Sequence, residues 1–303
     1  MTDPNTYAAP HQNRRAAVEA FFSALAFATM STMVHGFGQQ IAWPVVAFIR
    51  IVITFFIVLV MLRVTGAPLI IRGTPVLWVR SLVGTLGIFC TFYALTHMYV
   101  TDAVTIISTN PIWVMLILAV VFNHRLPWVV IVDVFLAVAG VFIMERPSFD
   151  ADMIPMIAAV AAAFTSAVVK VSLSRLGNLP AISVVTHHTG VASFITLVVS
   201  FTLVERIILV DHVSPAVWWL LIPAGILGTA AQLLMTSAYG RGNTMMITLV
   251  SLSNIAFAAV YDVIFWDRRF DLWYAVGALM IAAAIALSVS RSARQEATLS
   301  TTD

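Results

Sequence analysis

The sequence predicts an all-α integral membrane protein with ten transmembrane helices, arranged as two inverted repeats of five helices. Three observations support this prediction: the composition, the length of the apolar segments and an internal repeat. Of the 303 residues, 61% are hydrophobic and 10% are charged, whereas a soluble domain carries about 25% charged residues. Too few polar side chains are present to cover a water-exposed surface, so lipid must surround most of the chain.

Apolar segments long enough to cross a bilayer, which takes about 20 mostly apolar residues, follow one another along the whole chain. We number them spans 1 to 10, and they cover residues 16–36, 44–62, 76–98, 103–122, 128–144, 153–174, 182–203, 217–238, 244–265 and 271–290. These runs are too long and too continuous for the strands of a membrane barrel, so each span is predicted to be helical. Only short turns remain between the spans, and we expect no soluble domain.

An internal repeat divides the spans into two units. Residues 93–125 align without a gap to residues 237–269, which places Asn110 on Asn254. The parts of the two units that precede these stretches also align. Because each unit holds an odd number of helices, the second unit must cross the membrane in the opposite sense to the first, which is an inverted repeat.

The basic residues predict the orientation of the chain. If the N-terminus is cytoplasmic, most of the Lys and Arg residues outside the spans lie on the cytoplasmic side, as the positive-inside rule requires. We therefore expect both termini in the cytoplasm, with tails at residues 1–15 and 291–303. The two repeats are predicted to cover residues 16–145 and 153–290.

A proline interrupts span 4. Asn110-Pro111 lies early in that span, and proline removes a backbone donor and clashes with the preceding turn. The carbonyl groups that it frees are tolerated only beside protein or water. Pro111 is therefore a candidate hinge, with simple packing as the alternative, and Asn254 repeats the amide in span 9 without the proline.

Three sequence features, together with the two five-helix units, resemble the EamA-type drug/metabolite transporters. They are an arginine inside span 2 (Arg50), Tyr93-Ala94-Leu95 near the end of span 3, and Asn110-Pro111 early in span 4. The resemblance extends over about residues 16–290. The chain is similar in particular to bacterial amino-acid exporters of the YddG type.

This resemblance implies a secondary transporter of the bacterial inner membrane that exports amino acids or similar small metabolites by alternating access. The implied partners are a small-molecule substrate and the lipid bilayer, not nucleic acid, and a complete inverted pair in one chain makes a functional monomer plausible. No cofactor and no metal ion are expected, because the motifs for metal hydrolysis and ATP hydrolysis are absent from the sequence. The chain departs from the family at the ends of spans 4 and 9, where a Glu-Arg pair is usual but Asn123-His124-Arg125 and Asp267-Arg268 stand here.

Polar and aromatic side chains of several spans are the candidates for a substrate chamber between the repeats. Such sites combine apolar walls with a few hydrogen-bonding groups. The candidates are Ser31, Tyr93, Asn110, Trp113, Thr165, Ser166, Gln232, Ser237, Tyr239, Asn254 and Phe257. The alternative is that the aromatic residues face lipid and that the small residues only permit close packing of the helices.

Charged side chains inside spans need an explanation, because each costs about 2.5–3.5 kcal/mol at the bilayer centre. Arg50 and His187, which the repeat aligns with each other, are expected to be structural or to anchor an anion. Arg80 and Lys170 lie near inner helix ends and are expected to reach the membrane surface. Asp133 is the candidate for proton coupling.

Two alternatives to uncoupled export stay open. One is a proton-coupled drug or metabolite efflux pump that uses Asp133. The other is a membrane-embedded acyltransferase, because His97 and Asp102 have the H-x4-D spacing of such enzymes. No helix centre pairs an acid with a base, so the sequence favours transport without strong ion coupling over the first. No second motif and no soluble catalytic domain accompany His97 and Asp102, so it also favours transport over the second.

Overall fold

The computed structural model describes residues 10–36, 43–124, 126–149, 152–203, 215–265 and 271–300. The helices in these ranges are α1 (Pro10–Gly36), α2 (Trp43–Thr65), α3 (Pro75–His97), α4 (Val100–Ile107), α5 (Asn110–Val120), α6 (Trp128–Glu145), α7 (Met153–Ser174), α8 (Ala181–Leu203), α9 (Pro215–Arg241), α10 (Thr244–Ser251), α11 (Ser253–Phe265) and α12 (Leu272–Ser300). They form ten runs that are long and apolar enough to cross a membrane. The predicted all-helical fold with ten spans is therefore confirmed. Arg125 and Asp267-Arg268, where the family pattern is interrupted, lie outside the described residues.

Two of the spans are broken near their middle. Span 4 consists of α4 and α5, separated at Ser108 and Thr109, and span 9 consists of α10 and α11, separated at Leu252. The internal repeat aligns Ser108 with Leu252, so the two breaks occupy equivalent positions in the two halves. Pro111 predicts the first break, whereas nothing in the sequence pattern predicted the second.

A hydroxyl side chain bonds to a backbone carbonyl at each of the two breaks. At the first break, the Thr109 hydroxyl donates to the carbonyl of Ile106 at 2.6 Å. At the second, the Ser251 hydroxyl donates to the carbonyl of Thr248 at 2.7 Å. Such bonds compete with the helical ladder for backbone carbonyls and bend helices.

The packing of the spans follows the duplication of the chain. Span 1 (α1) packs along span 8 (α9), and span 6 (α7) packs along span 3 (α3). Spans 2 and 7 (α2 and α8) pack on each other, as do spans 5 and 10 (α6 and α12). Each span of the first half has its counterpart five spans later, in the second half. When every span in these pairs is replaced by its counterpart, the same set of pairs results, so the packing has the symmetry of the repeat. The two halves therefore enclose a common interior, and ten crossings bring both ends of the chain to one face of the bundle, which we call the tail face.

A buried apolar cluster ties the half-helices to the rest of the bundle. It contains Val114 and Leu118 of α5, Val138 of α6, and Leu249 and Ile255 on the two sides of the second break. Both broken spans contribute residues to this one cluster. A movement of α5 in span 4, or of α10 or α11 in span 9, must therefore displace residues of the other half of the chain.

The first and last helices extend beyond the predicted spans. Helix α1 begins at Pro10 and α12 ends at Ser300, so the predicted tails are in part helical. In the first turns of α1, Arg15 and Glu19 form an ion pair at 3.1 Å. Oppositely charged side chains four residues apart stabilise an exposed helix.

Spans 5 and 10 approach each other most closely at two glycines. A Cβ atom added to Gly140 would lie 2.8 Å from the carbonyl oxygen of Gly277, and one added to Gly277 would lie 2.7 Å from Cβ of Met144. Real Cβ atoms essentially never approach other atoms so closely. Both positions therefore require glycine, which lets the two backbones come together as small residues do in membrane helix pairs.

Candidate functional site

Lys170 of α7 lies where the two broken spans come together. Its ammonium group donates to Oδ1 of Asn110, at the start of α5, and to Oγ of Ser251, at the end of α10, the latter at 3.3 Å. The lysine is only 7% exposed. One cation from span 6 therefore joins the break in each half of the chain.

The surroundings of Lys170 are polar but uncharged. The side-chain NH₂ of Asn110 donates to the carbonyl of Ile107, the last residue of α4, at 3.0 Å. At each break the negative C-terminal end of one half-helix lies beside the positive N-terminal end of the next, so the helix ends add little net charge. Among the described residues, no carboxylate pairs with Lys170. In the described part of the chain its ammonium group is thus met by an amide oxygen and a hydroxyl, and it remains able to bind an anion.

Tyr239 extends this polar network into α9. Its hydroxyl lies 3.1 Å from Oγ1 of Thr248 and also interacts with Ser251, and the residue is buried. Of the predicted site residues, the structure thus brings Asn110 and Tyr239 together around Lys170.

The prediction that Arg80 and Lys170 reach the membrane surface is wrong. Arg80 is 1% exposed, and both side chains are enclosed by neighbouring helices. The error has a physical cause: their distance from the helix end was known from the sequence, but the side of the helix on which they lie was not. Two sequence signals could have identified Lys170. It is the only lysine in the chain. The alignment of the repeats also places it on the apolar Met33, so one repeat carries a charge inside a span where the other repeat carries none.

Several other predicted residues make contacts within the helix bundle. The Thr165 hydroxyl donates to the carbonyl of Ala161 at 2.7 Å and lies against Gly87 of α3. The Ser237 hydroxyl donates to the carboxylate of Glu19 at 2.6 Å. The Ser237 bond joins α9 to α1, whereas the Thr165 bond stays within α7 and only its contact with Gly87 reaches a second helix. Both arrangements match the packing alternative for these two residues.

The predicted aromatic residues lie in separate pairs. Trp113 packs edge-on against Phe164 at 5.6 Å, Phe257 against Phe21 at 5.1 Å, and Tyr93 stacks on His97 at 4.1 Å, with all distances between ring centroids. Among the remaining candidates, Gln232 is buried, Ser166 is half-buried and Ser31 is exposed.

A groove of about 870 Å³ runs between α5 and α7 beside Trp113 and Phe164. Its lining also includes Met153, Ile157 and Val160, whose side chains are exposed. Neither Lys170 nor Asn110 lines it. Exposed aliphatic side chains on a membrane helix suit contact with lipid tails. We therefore place the candidate site around Lys170, between the two breaks, and not in this groove.

The second break holds polar groups that have no partner. Asn254 Oδ1 and Ser253 Oγ are buried and make no hydrogen bond within the described part of the chain. At the equivalent position of the first break, the side-chain oxygen of Asn110 is satisfied by Lys170. The two breaks are alike in position but differ in chemistry: the repeat aligns Lys170 with Met33, a residue whose side chain has no hydrogen-bond donor.

Arg50 and His187, the aligned pair, have different environments. Arg50 is half-buried, and a Cβ added to Gly228 of α9 would lie 3.7 Å from its Nε. No carboxylate among the described residues pairs with it. His187 is buried, with Nδ1 2.8 Å from the Ser81 hydroxyl and its ring edge-on to Trp78 at 4.7 Å.

Asp133 forms an ion pair with Arg291. The Arg291 guanidinium lies 2.5 Å from Oδ2 of Asp133, with the two side chains 38% and 2% exposed respectively. Arg291 also donates to the carbonyl of Val129 at 3.3 Å. The pair joins the second turn of α6 to the later half of α12, on the side of the tail face. The other carboxylate oxygen of Asp133 is buried without a partner among the described residues.

We expect Asp133→Asn and Arg291→Met each to destabilise the protein by about 1–3 kcal/mol, because the first removes the charge that pairs with Arg291 and the second leaves the buried carboxylate of Asp133 without its partner. The double variant should lose less than the sum of the two. Thermal unfolding of purified protein in detergent measures this. Additive losses would mean that the two side chains do not interact.

His97 and Asp102, the pair that suggested an acyltransferase, have separate partners. Asp102 accepts hydrogen bonds from the backbone N–H and the hydroxyl of Ser148, at 2.9 and 3.0 Å. His97 Nδ1 lies 2.9 Å from the carbonyl of Tyr93. Asp102 thus fastens the segment that follows α6, which is a structural role.

Comparison with known proteins gives a consistent result. The model of the EamA-like transporter family matches residues 15–146 and again residues 153–290. The chain is 26% identical to the Pseudopaline exporter CntI from two strains of Pseudomonas aeruginosa, UCBPP-PA14 and PAO1, over 89% of this chain and 94% of each exporter. A crystal structure of a protein aligns with a TM-score of 0.77 at 17% identity, covering 93% of this chain and 98% of the other, which shows a shared fold.

Proposed function

This chain belongs to the EamA-like transporter family, and we propose that it exports small amino-acid-like metabolites from the cytoplasm by alternating access. It is a multi-pass membrane protein and a transporter, not an enzyme. Its similarity to a named metabolite exporter supports the class of substrate. The preference for amino acids rests on the resemblance to YddG-type exporters.

The contact of Lys170 with both breaks is the observation that carries this proposal. Broken helices at equivalent positions of two inverted halves are typical of the substrate sites of secondary transporters. We assign the ammonium group of Lys170 to the substrate carboxylate. Asn110, Ser251 and Tyr239 then offer an amide and two hydroxyls to the substrate's remaining polar groups.

The same contact suggests how binding is linked to movement. Lys170 is hydrogen-bonded to Asn110 and Ser251, so in the described conformation it connects half-helices of the two repeats. A bound carboxylate competes for the same ammonium group and weakens that connection. The half-helices beyond Pro111 and Leu252 then pivot as the halves rock about the site.

We expect purified protein in liposomes to exchange labelled amino acids at a rate at least about tenfold above that of the matching amines that lack the carboxylate. A hydrogen bond to a charged group contributes about 1.5–3 kcal/mol, and 1.4 kcal/mol is tenfold in affinity. Equal exchange of an amino acid and its decarboxylated amine would contradict the assignment of Lys170. Failure to exchange any member of a broad metabolite panel would contradict the proposed substrate class.

Proton-coupled efflux is the second candidate function. Lys170 is a titratable group whose partners among the described residues are uncharged, which favours this candidate. Asp133 is the carboxylate that the sequence suggests for it. A pH gradient imposed on proteoliposomes tests proton coupling through either residue, because a proton-coupled transporter accumulates substrate against the concentration gradient of that substrate. Loss of accumulation in Asp133→Asn would assign the proton to the carboxylate. Loss of accumulation in a Lys170 variant, beyond its loss of exchange without a pH gradient, would assign the proton to the amine.

We further propose that the protein lies in the bacterial inner membrane with its tail face in the cytoplasm and that it functions as a monomer. The excess of basic residues on that side and the complete inverted pair in one chain support this. Labelling of cysteines introduced at both termini in intact cells tests the orientation.

A further inference from the structure

A buried arginine and two buried histidines form a second polar cluster between α3 and α8. Arg80 of α3 is almost completely enclosed, yet its Nε has no partner and no ion pair involves it among the described residues. A Cβ added to Gly84 would lie 3.3 Å from an Arg80 terminal nitrogen and 3.1 Å from Cε1 of His188. The guanidinium and that imidazole therefore occupy the same small space.

Three further polar atoms in this region are unsatisfied. Ser183 Oγ, His187 Nε2 and His188 Nδ1 are buried and make no hydrogen bond within the described ranges of the chain. Ser183 lies one turn before the histidines, on the same side of α8 as His187. His187 is fixed by the Ser81 hydroxyl at its other ring nitrogen, which leaves Nε2 open to a ligand.

Such an arrangement is costly unless an anion occupies it. An isolated buried charge is strongly unfavourable, and a buried donor without a partner costs about 1–3 kcal/mol. The guanidinium, the Ser183 hydroxyl and the Nε2–H of His187 can donate hydrogen bonds to a carboxylate, and the planar guanidinium matches a carboxylate in two parallel hydrogen bonds.

We propose that Arg80, Ser183, His187 and His188 form a second carboxylate-binding subsite, so that the preferred substrates carry two carboxylates. This inference rests on the proposed export function and assigns the first carboxylate to Lys170. Val169, next to Lys170 in α7, lies against Gly84 within the cluster, so α7 brings the two subsites close to each other. A substrate with a single carboxylate leaves the Arg80 cluster unfilled.

The test compares an amino acid that has a side-chain carboxylate with its side-chain amide, such as glutamate with glutamine, in exchange from proteoliposomes. We expect the wild type to favour the dicarboxylate by about tenfold or more. Arg80→Met should remove this preference while monocarboxylate exchange is retained. Arg72→Met, which removes an exposed arginine just before α3, is the matched control and should keep the preference.

The outcomes separate the two proposals. If the wild type exchanges amino acids without favouring the dicarboxylate, the second subsite is refuted while the export function stands. If it exchanges neither compound nor any other metabolite, the export function fails. If added acetate or phosphate stimulates monocarboxylate exchange in the wild type but not in Arg80→Met, a free anion fills the cluster, and the dicarboxylate substrate class is refuted.

A binding measurement covers the case in which Arg80→Met does not fold. Trp78 touches His187 edge-on, so filling of the cluster should change its fluorescence. The fluorescence of the wild type minus that of Trp78→Phe reports on Trp78. We expect the dicarboxylate to change this difference at concentrations at least about tenfold below those at which the amide changes it. Equal responses to the two compounds, or none, would overturn the proposal.

Discussion

Replacing Lys170 with methionine is expected to lower exchange of amino-acid-like substrates by about 10- to 100-fold, because a charged hydrogen bond of about 1.5–3 kcal/mol to the substrate is lost. Exchange in proteoliposomes at matched protein content measures this. The effect should appear for every substrate that carries a carboxylate, since Lys170 is assigned to the group that they share.

The fold should tolerate this substitution. Methionine removes a buried charge and retains most of the apolar stem, while leaving the side-chain oxygen of Asn110 without its donor. These effects have opposite signs and similar size, so we expect the stability to change by less than about 2 kcal/mol. The aligned position in the first half already carries methionine, Met33.

Two controls make the result specific. Arg63→Met removes an exposed cation from the end of α2 and should leave exchange unchanged. Lys170 is the only lysine, so an amine-specific reagent modifies this side chain and the N-terminus alone, and substrate should protect Lys170 from it. Normal exchange by a folded Lys170→Met protein would remove this residue from the site.

Replacing Gly277 with valine is expected to destabilise the protein by about 3 kcal/mol or more, at the upper end of the cost of enlarging a packed residue. The new side chain would meet Met144 and the backbone of Gly140 on the facing helix. Backbone cannot move aside as a flexible side chain can, so α6 and α12 must separate. Thermal unfolding in detergent measures the loss.

Ala282→Val on the same helix is the matched control, because Ala282 is exposed. Surface substitutions usually change stability by less than about 0.5 kcal/mol, and we expect that here. Equal stability of the Gly277 and Ala282 variants would mean that spans 5 and 10 do not meet at the two glycines.

The identity of the site residues was only partly accessible from the sequence. Asn110 was found because an adjacent proline makes a local signal, and such a signal depends only on neighbouring residues. Thr165 and Ser237 were chosen on similar polar character, yet their hydroxyls bond to Ala161 and Glu19. A hydroxyl in a membrane helix can bond to its own helix or to a neighbour, and composition does not distinguish these outcomes.

The sequence by itself determined that lipid surrounds the chain, how many spans it has, that the spans are duplicated, and that one span breaks before Pro111. These properties follow from local apolarity, from the length needed to cross a bilayer and from backbone chemistry, none of which depends on distant contacts. Only the tertiary structure decided that Lys170 joins both breaks, that Arg80 is enclosed, and that span 9 breaks at Leu252. Each depends on which side of a helix meets which neighbour, and a helix that is apolar all round does not specify that side until the other helices pack against it.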